Sequence, residues 1–303
     1  MTEDEHTNQV ITLNVGDGHH LHVVDWGNQD AKTPFIYLHG GPGSHVKDKG
    51  KIYFDPKNHR VIFFDQRGCG ESTPYGSLKN NDTAHLAADI IKIADHLNLT
   101  DSNLYGYSWG STLALYTAIN YPDRVKNLVI GGVYNGKNDI TKMYEYLETF
   151  FPEKAAEILA GTPKKHHQDL AKYYQDQALN GTPKNQKHAA YILGTIEGTI
   201  MDFDSDYRLP EPYEDYDPIP AKIETHFMAN GCFMPANYLL KNAHKITAKT
   251  YIIQGRADLV CPPKFAYEIS QQIPSVQLYW VNSNHYYARE QISLLRTVIS
   301  LLN

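Results

Sequence analysis

The chain has 303 residues, 42% of them hydrophobic and 20% charged, enough for one large domain with a sizeable core and an insertion. Its 28 Lys and Arg against 34 Asp and Glu give a formal charge of -6. Such a mildly acidic surface offers no electrostatic footprint for nucleic acid or an anionic membrane.

The chain opens on a polar, acidic stretch, MTEDEHTNQV, which predicts no signal peptide. No stretch approaches the roughly 18 apolar residues of a membrane span. The next segments, QVITLNV and HLHVVDWG, read as strands around Gly16-Asp17-Gly18, a hairpin signal. PFIYLHG (34–40) and RVIFFDQRG (60–68) are continuous apolar runs, as expected of strands buried on both faces of a parallel sheet. A helix follows, capped by Asp82 or Thr83, with Leu86, Ile90, Ile93 and Leu97 on one face. NLYGYS (103–108) predicts a strand, STLALYTAINYP an amphipathic helix ending before Pro122, and VKNLVIGGVY (125–134) another strand.

From about 135 to 245 strand-like runs vanish, and Tyr, Lys, Gln, Glu and Ala dominate between Pro-containing breaks. This predicts a mostly helical cap inserted after the sixth strand. TYIIQGR (250–256), VQLYWVN (276–282) and the closing helix EQISLLRTVISLL then resume the core. The expectation is an α/β fold with a mostly parallel sheet, a core of residues 1–134 and 246–303, and a cap of residues 135–245. The cysteines, Cys69, Cys232 and Cys261, are odd in number and lack metal-ligand spacing. They predict neither a disulfide framework nor a zinc site, and a reduced, cytoplasmic setting.

Gly106-Tyr107-Ser108-Trp109-Gly110 matches G-x-S-x-G between an apolar strand and a helix. The spacing serves a sharp turn that exposes the serine oxygen, with small residues where a side chain would clash. It also sets the backbone N–H of Trp109 at a helix N-terminus, where negative charge is favoured. An ordinary glycine-rich turn would read the same way without its surroundings.

Upstream, His39-Gly40-Gly41-Pro42-Gly43 follows a strand and stands where this fold supplies its second oxyanion donor. Gly41 is the expected donor, with Gly40 the alternative. His39 precedes the nucleophile and is expected to hold the loop by hydrogen bonds rather than act as base.

A serine nucleophile needs a base, and the base an orienting carboxylate, in the chain order Ser, Asp or Glu, His. Asp258 just past TYIIQGR and His285 just past VQLYWVN fill the expected loops. Asp139 is the rival acid, and His244 lies too early for the final loop.

These motifs together resemble the proline iminopeptidases, serine aminopeptidases of the α/β-hydrolase fold, over most of the chain. HGGPG is similar to the family's oxyanion loop, and DQRGCGESTP (65–74) to its DQRGCGRSTP, with Glu71 in place of arginine. Gly106 to Leu115 is similar to its GGSWGSTLAL elbow, and Gly255 to Pro262 to its GRYDxxCP. In the insertion, IETHFMANG (223–231) resembles IENHYFxNG, and Ile196-Glu197-Gly198 resembles WEG. The resemblance implies that Glu197 and Glu224 hold the free amino group of an N-terminal proline. It also implies that Cys261 and Tyr134 line the pocket for the pyrrolidine ring, although core packing would account for both. The family's Ala-Gly-His before a small residue is replaced here: Asn284 precedes His285, and Tyr286 and Tyr287 follow.

The implied activity is release of N-terminal proline from short peptides, without metal or organic cofactor. Two other readings stand beside it. An esterase or amidase with the same triad would not need the glutamates to converge. A non-catalytic binding protein would not need Ser108, Asp258 and His285 at all.

Overall fold

A computed structural model describes residues 3–137, 140–203, 207, 212–285 and 289–302. Asp139, Tyr286 and Tyr287 lie outside the described residues. The chain opens with a hairpin of β1 (Thr7–Gly16) and β2 (His19–Gly27), antiparallel and turning at Asp17-Gly18. Both turn residues have positive φ, 59° and 86°, which matches the twist of the two strands. The sheet continues through β3 (Phe35–Leu38), β4 (Arg60–Phe64), β5 (Ser102–Tyr107), β6 (Val125–Gly131), β7 (Lys249–Gly255) and β8 (Val276–Val281). Its order is β1-β2-β4-β3-β5-β6-β7-β8, and every pair from β4 to β8 is parallel.

The helices are α1 (Thr83–His96), α2 (Trp109–Asn120), α3 (Ile140–Phe150), α4 (Pro152–Gly161), α5 (Leu170–Asn180), α6 (Pro183–Asp202), α7 (Ile219–Ala229), α8 (Tyr238–Asn242), α9 (Pro263–Ser270) and α10 (Arg289–Ser300). Thus α3 to α8 come between the sixth and seventh strands, as the sequence predicts. Asp82 is the N-cap of α1, its carboxylate accepting from the His85 N–H at 2.9 Å. Helix α9 was not legible as a separate element. Helix α2 departs from its amphipathic expectation: it is buried almost all round, because it runs beneath the cap as well as against the sheet.

Alternate residues of the parallel strands build two cores. Ile36, Ile62, Leu104, Leu128 and Ile252 meet α1, α2, α9 and the cap helices. Phe35, Phe63, Tyr105, Val129 and Ile253 meet α10. Both faces are therefore covered, which is why these strands read as unbroken apolar runs.

In the sheet β3 lies between β4 and β5, and Leu38 pairs with Gly106. That register sets the loop after β3 beside the turn after β5. The direction of chain progression reverses here, and ligands of open α/β sheets bind outside the carboxyl ends of such strands.

The DQRG segment after β4 secures this edge. The Asp65 carboxylate accepts from the N–H groups of Val46 (2.8 Å) and Glu71 (2.9 Å). Arg67 is fully buried and forms a two-pronged pair with Asp89 of α1, at 2.6 and 2.8 Å. Removing one partner of such a pair leaves a buried charge uncompensated. Asp89→Ala is therefore expected to cost about 3–5 kcal/mol of stability in urea unfolding, and a loss under 1 kcal/mol would contradict this role.

Candidate active site

Ser108 follows β5 and caps α2 with φ 56° and ψ -128°, a backbone conformation rare outside glycine. The flanking glycines permit it. A β-carbon on Gly106 would lie 2.2 Å from the Gly110 carbonyl oxygen, and one on Gly110 would lie 2.2 Å from that of Leu38. The Ser108 N–H donates to the Gly131 carbonyl at 3.0 Å. Its carbonyl accepts from the N–H (2.9 Å) and hydroxyl (2.6 Å) of Ser111.

The expected oxyanion loop packs against this turn: a β-carbon on Gly40 would lie 3.6 Å from Cβ of Ser108, and Gly41 comes next. His39 holds the loop. Its Nε2 accepts from the Gln66 N–H at 3.0 Å, so Nδ1 carries the proton and donates to the Gly40 carbonyl at 2.9 Å. Burial lowers its pKa and keeps the ring neutral. The Gln66 side chain donates to the His39 carbonyl (3.0 Å) and accepts from Nε1 of the fully buried Trp109 (2.9 Å). One amide thus joins the loop to the turn. Nothing in the sequence singled out Gln66 for this task.

The edges of β7 and β8 bring Asp258 and His285 together. His285 Nδ1 lies 3.0 and 2.9 Å from the two Asp258 oxygens, and both side chains are buried. The Asp258 carboxylate also accepts from the Cys261 N–H at 2.7 Å and from Gln254 Nε2 at 3.2 Å. The Gln254 amide braces the site further, accepting from the Val133 N–H at 2.9 Å. The Tyr107 hydroxyl donates to the His285 carbonyl at 3.1 Å and accepts from Gln291 at 3.0 Å. Burial works against the imidazolium, but the charges of Asp258 and Glu197 outweigh it and raise the His285 pKa. Asp258, Cys261 and His285 hold donor atoms within 4.8 Å of one another. Within that group His285 Nδ1 and Asp258 are joined by hydrogen bonds, and Cys261 reaches Asp258 through its backbone N–H.

The cap supplies two carboxylates. Glu197 of α6 and Glu224 of α7 line one small cavity with Met143, Gln175 and Met228. Helical spacing explains why they face inward. Glu224 shares a face with Phe227 and Met228, three and four residues on, and Glu197 lies one turn from Leu193 and Ile200. Burial pushes the Glu224 carboxyl well above the usual range, and the charge of Glu197 adds to this. Burial also raises Glu197, against the pull of His285.

Helix α7 is docked on the catalytic edge at two points. A β-carbon on Gly43 would lie 2.4 Å from the Pro220 carbonyl, and Phe227 packs edge-on to Trp109 at 4.9 Å. The loop, the nucleophile turn and the helix that carries Glu224 are therefore packed against one another.

Tyr134 and Cys261 are both buried and line a separate, larger cleft with Met143, Leu239 and Phe265, whose walls do not include Ser108 or His285. Met143 lines both cavities. Tyr134 is tied in place, its N–H donating to Ser111 Oγ at 3.1 Å and its hydroxyl to the Lys137 carbonyl.

Comparison with known proteins agrees with this fold. Residues 33–285 match the family model of the alpha/beta hydrolase fold. A proline iminopeptidase of Xylella fastidiosa is 34% identical over 278 residues, covering 88% of this chain and 87% of that protein. The chain belongs to the proline iminopeptidase family. Another member, from Arabidopsis thaliana, is 32% identical and covers 88% of this chain and 72% of its own. Among solved structures, an esterase from Exiguobacterium antarcticum superposes with a TM-score of 0.60 at 21% identity, over 94% of this chain and 96% of that one. At that identity the likeness is one of fold. Among the described residues, no helix is long and apolar enough to cross a membrane.

Gln66→Leu would leave the Trp109 indole N–H and the His39 carbonyl without a partner. A loss of about 2–4 kcal/mol of stability is expected, with slower labelling of the serine by a phosphonate probe. Wild-type labelling in this variant would show that Gln66 does not align the turn.

Proposed function

We propose that this chain releases N-terminal proline from short peptides by acyl transfer through Ser108. The observation that carries the reading is the convergence of Glu197 and Glu224 on one small cavity of the cap, with the charge of Glu197 reaching His285.

His285 takes the proton of Ser108 Oγ as that oxygen attacks the prolyl carbonyl. Negative charge on the carbonyl oxygen falls to the N–H groups of Gly41 and Trp109, each such donor being worth about 100- to 1000-fold in rate. As the C–N bond breaks, the proton passes from His285 to the leaving amine. Water, deprotonated by the same imidazole, then cleaves the prolyl ester and restores Ser108. Asp258 holds His285 in the productive tautomer and stabilises its charged form.

Selection for a free amine follows from the carboxylates. Two acids in a desolvated cavity cannot both ionise cheaply. A prolyl ammonium lets both ionise, whereas a blocked N-terminus leaves them unsatisfied. In this reading the ring lies toward the separate cleft of Tyr134 and Cys261, which shares Met143 with the glutamate cavity. The cap, residues 135–245, restricts entry to short peptides.

Turnover of a prolyl chromogenic amide, set beside its N-acetylated form and a short-chain ester, tests this directly. Only the free prolyl amide should be cleaved rapidly, and Ser108→Ala should abolish that cleavage. Ester turnover without prolyl amide turnover would favour an esterase with the same triad.

Glu224→Gln should lower kcat/KM for the prolyl amide about 100-fold, since truncating one partner of a buried charge pair costs 2–5 kcal/mol or more. An effect below about threefold would remove Glu224 from amine binding.

The base must be neutral to act, so the raised pKa of His285 places the acidic limb of ester hydrolysis above the ordinary histidine value of about 6.5. Glu197→Gln removes one source of that elevation and should move the limb to lower pH. A limb that stays in place would show that Glu197 does not act on the base.

A further inference from the structure

Asn284 stands immediately before His285, where the family pattern has glycine. Its side chain reaches away from the core: Nδ2 donates to the Asp202 carbonyl at 2.9 Å. Asp202 is the last residue of α6, and the final carbonyls of a helix have no partner within it. The chain leaves the helix there through Phe203, in the left-handed region at φ 55°, whose ring packs on Phe151 of the cap at 5.2 Å. The end of α6 is thus fastened to the cap by Phe203 and to the core by Asn284.

On the core side Asn284 is anchored. A β-carbon on Gly255 would lie 2.7 Å from the Asn284 carbonyl oxygen, and the adjacent Ser283 carbonyl accepts from the Ala257 N–H at 3.0 Å. His285 has supports of its own in Asp258 and the Tyr107 hydroxyl. On α6, Glu197 lies five residues before Asp202, about 7.5 Å along the helix axis.

We propose that Asn284 is a positioning residue: its amide holds the end of α6 to the base loop, fixing Glu197 in register with His285 and Ser108. The inference rests on the proposed function, because it concerns the carboxylate that reads the substrate amine. A glycine at this position supplies no such tether.

The test uses the full chain carrying Asn284→Ala and, separately, Asn284→Gly. Hydrolysis of a prolyl amide and of a short-chain ester lacking an amine is measured on the same preparations, so that loss of folded protein cancels in the ratio. The prolyl-to-ester ratio of kcat/KM should fall about tenfold, the equivalent of one hydrogen bond, and mainly through a higher KM for the amide. The acidic limb of ester hydrolysis should move to lower pH as Glu197 withdraws from His285. An unchanged ratio, or equal losses on both substrates, would overturn the proposal, the latter by showing that the amide serves the triad or the fold. If the unsubstituted chain cleaves only the ester, the proposed function fails instead. The position of the acidic limb then decides the tether alone, and an unmoved limb overturns it.

Discussion

The strained backbone of Ser108 is the constraint around which this structure is arranged. A non-glycine residue at φ 56° and ψ -128° costs of the order of 1–3 kcal/mol and persists only where its surroundings over-determine it. Here Gly106 and Gly110 clear the space, Gly131 and Ser111 hold the peptide groups, and Trp109 wedges the turn from behind. The indole then passes the constraint outward. One edge bonds to Gln66 and through it to the glycine loop, and its face meets Phe227 of α7. The nucleophile turn, the glycine loop and α7 are thereby one packed unit.

Charge is distributed to match. Asp258 and Glu197 both act on the His285 imidazole, and Glu224 shares a small cavity with Glu197. Burial favours the neutral form of each glutamate, while Asp258 and Glu197 favour the charged form of His285. Glu197 acts on the charge of His285, so in the proposed function amine recognition and proton transfer are coupled through it.

Much of this was legible in the sequence, because it rests on local rules. Unbroken apolar runs marked strands covered on both faces, and the G-x-S-x-G spacing marked a turn whose sterics the structure bears out. Asp258 and His285 could be singled out by their place after late strands. What could not be read depends on partners distant in the chain. Gln66, Gln254 and Gln291 look like ordinary polar residues, and only folding shows that their amides hold Trp109, Asp258 and Tyr107. Helix α2 lost its expected polar face because the cap lies over it, a tertiary fact without a periodic signature. Asn284 stood out in the sequence as a departure, yet its partner lies 82 residues away. The inward direction of Glu197 and Glu224 follows from helical phase only once the buried neighbours are known.

The central claim is that a strained Ser108 attacks a carbonyl delivered by amine recognition. Its most direct test is covalent labelling by a prolyl phosphonate with a free amine, compared with its N-acetylated counterpart, with the modified residue located by peptide mapping. The account predicts an adduct on Ser108, formed about 100-fold faster by the free amine, in keeping with the cost of leaving a buried carboxylate unpaired. Equal rates for the two reagents, or an adduct on any other residue, would contradict it.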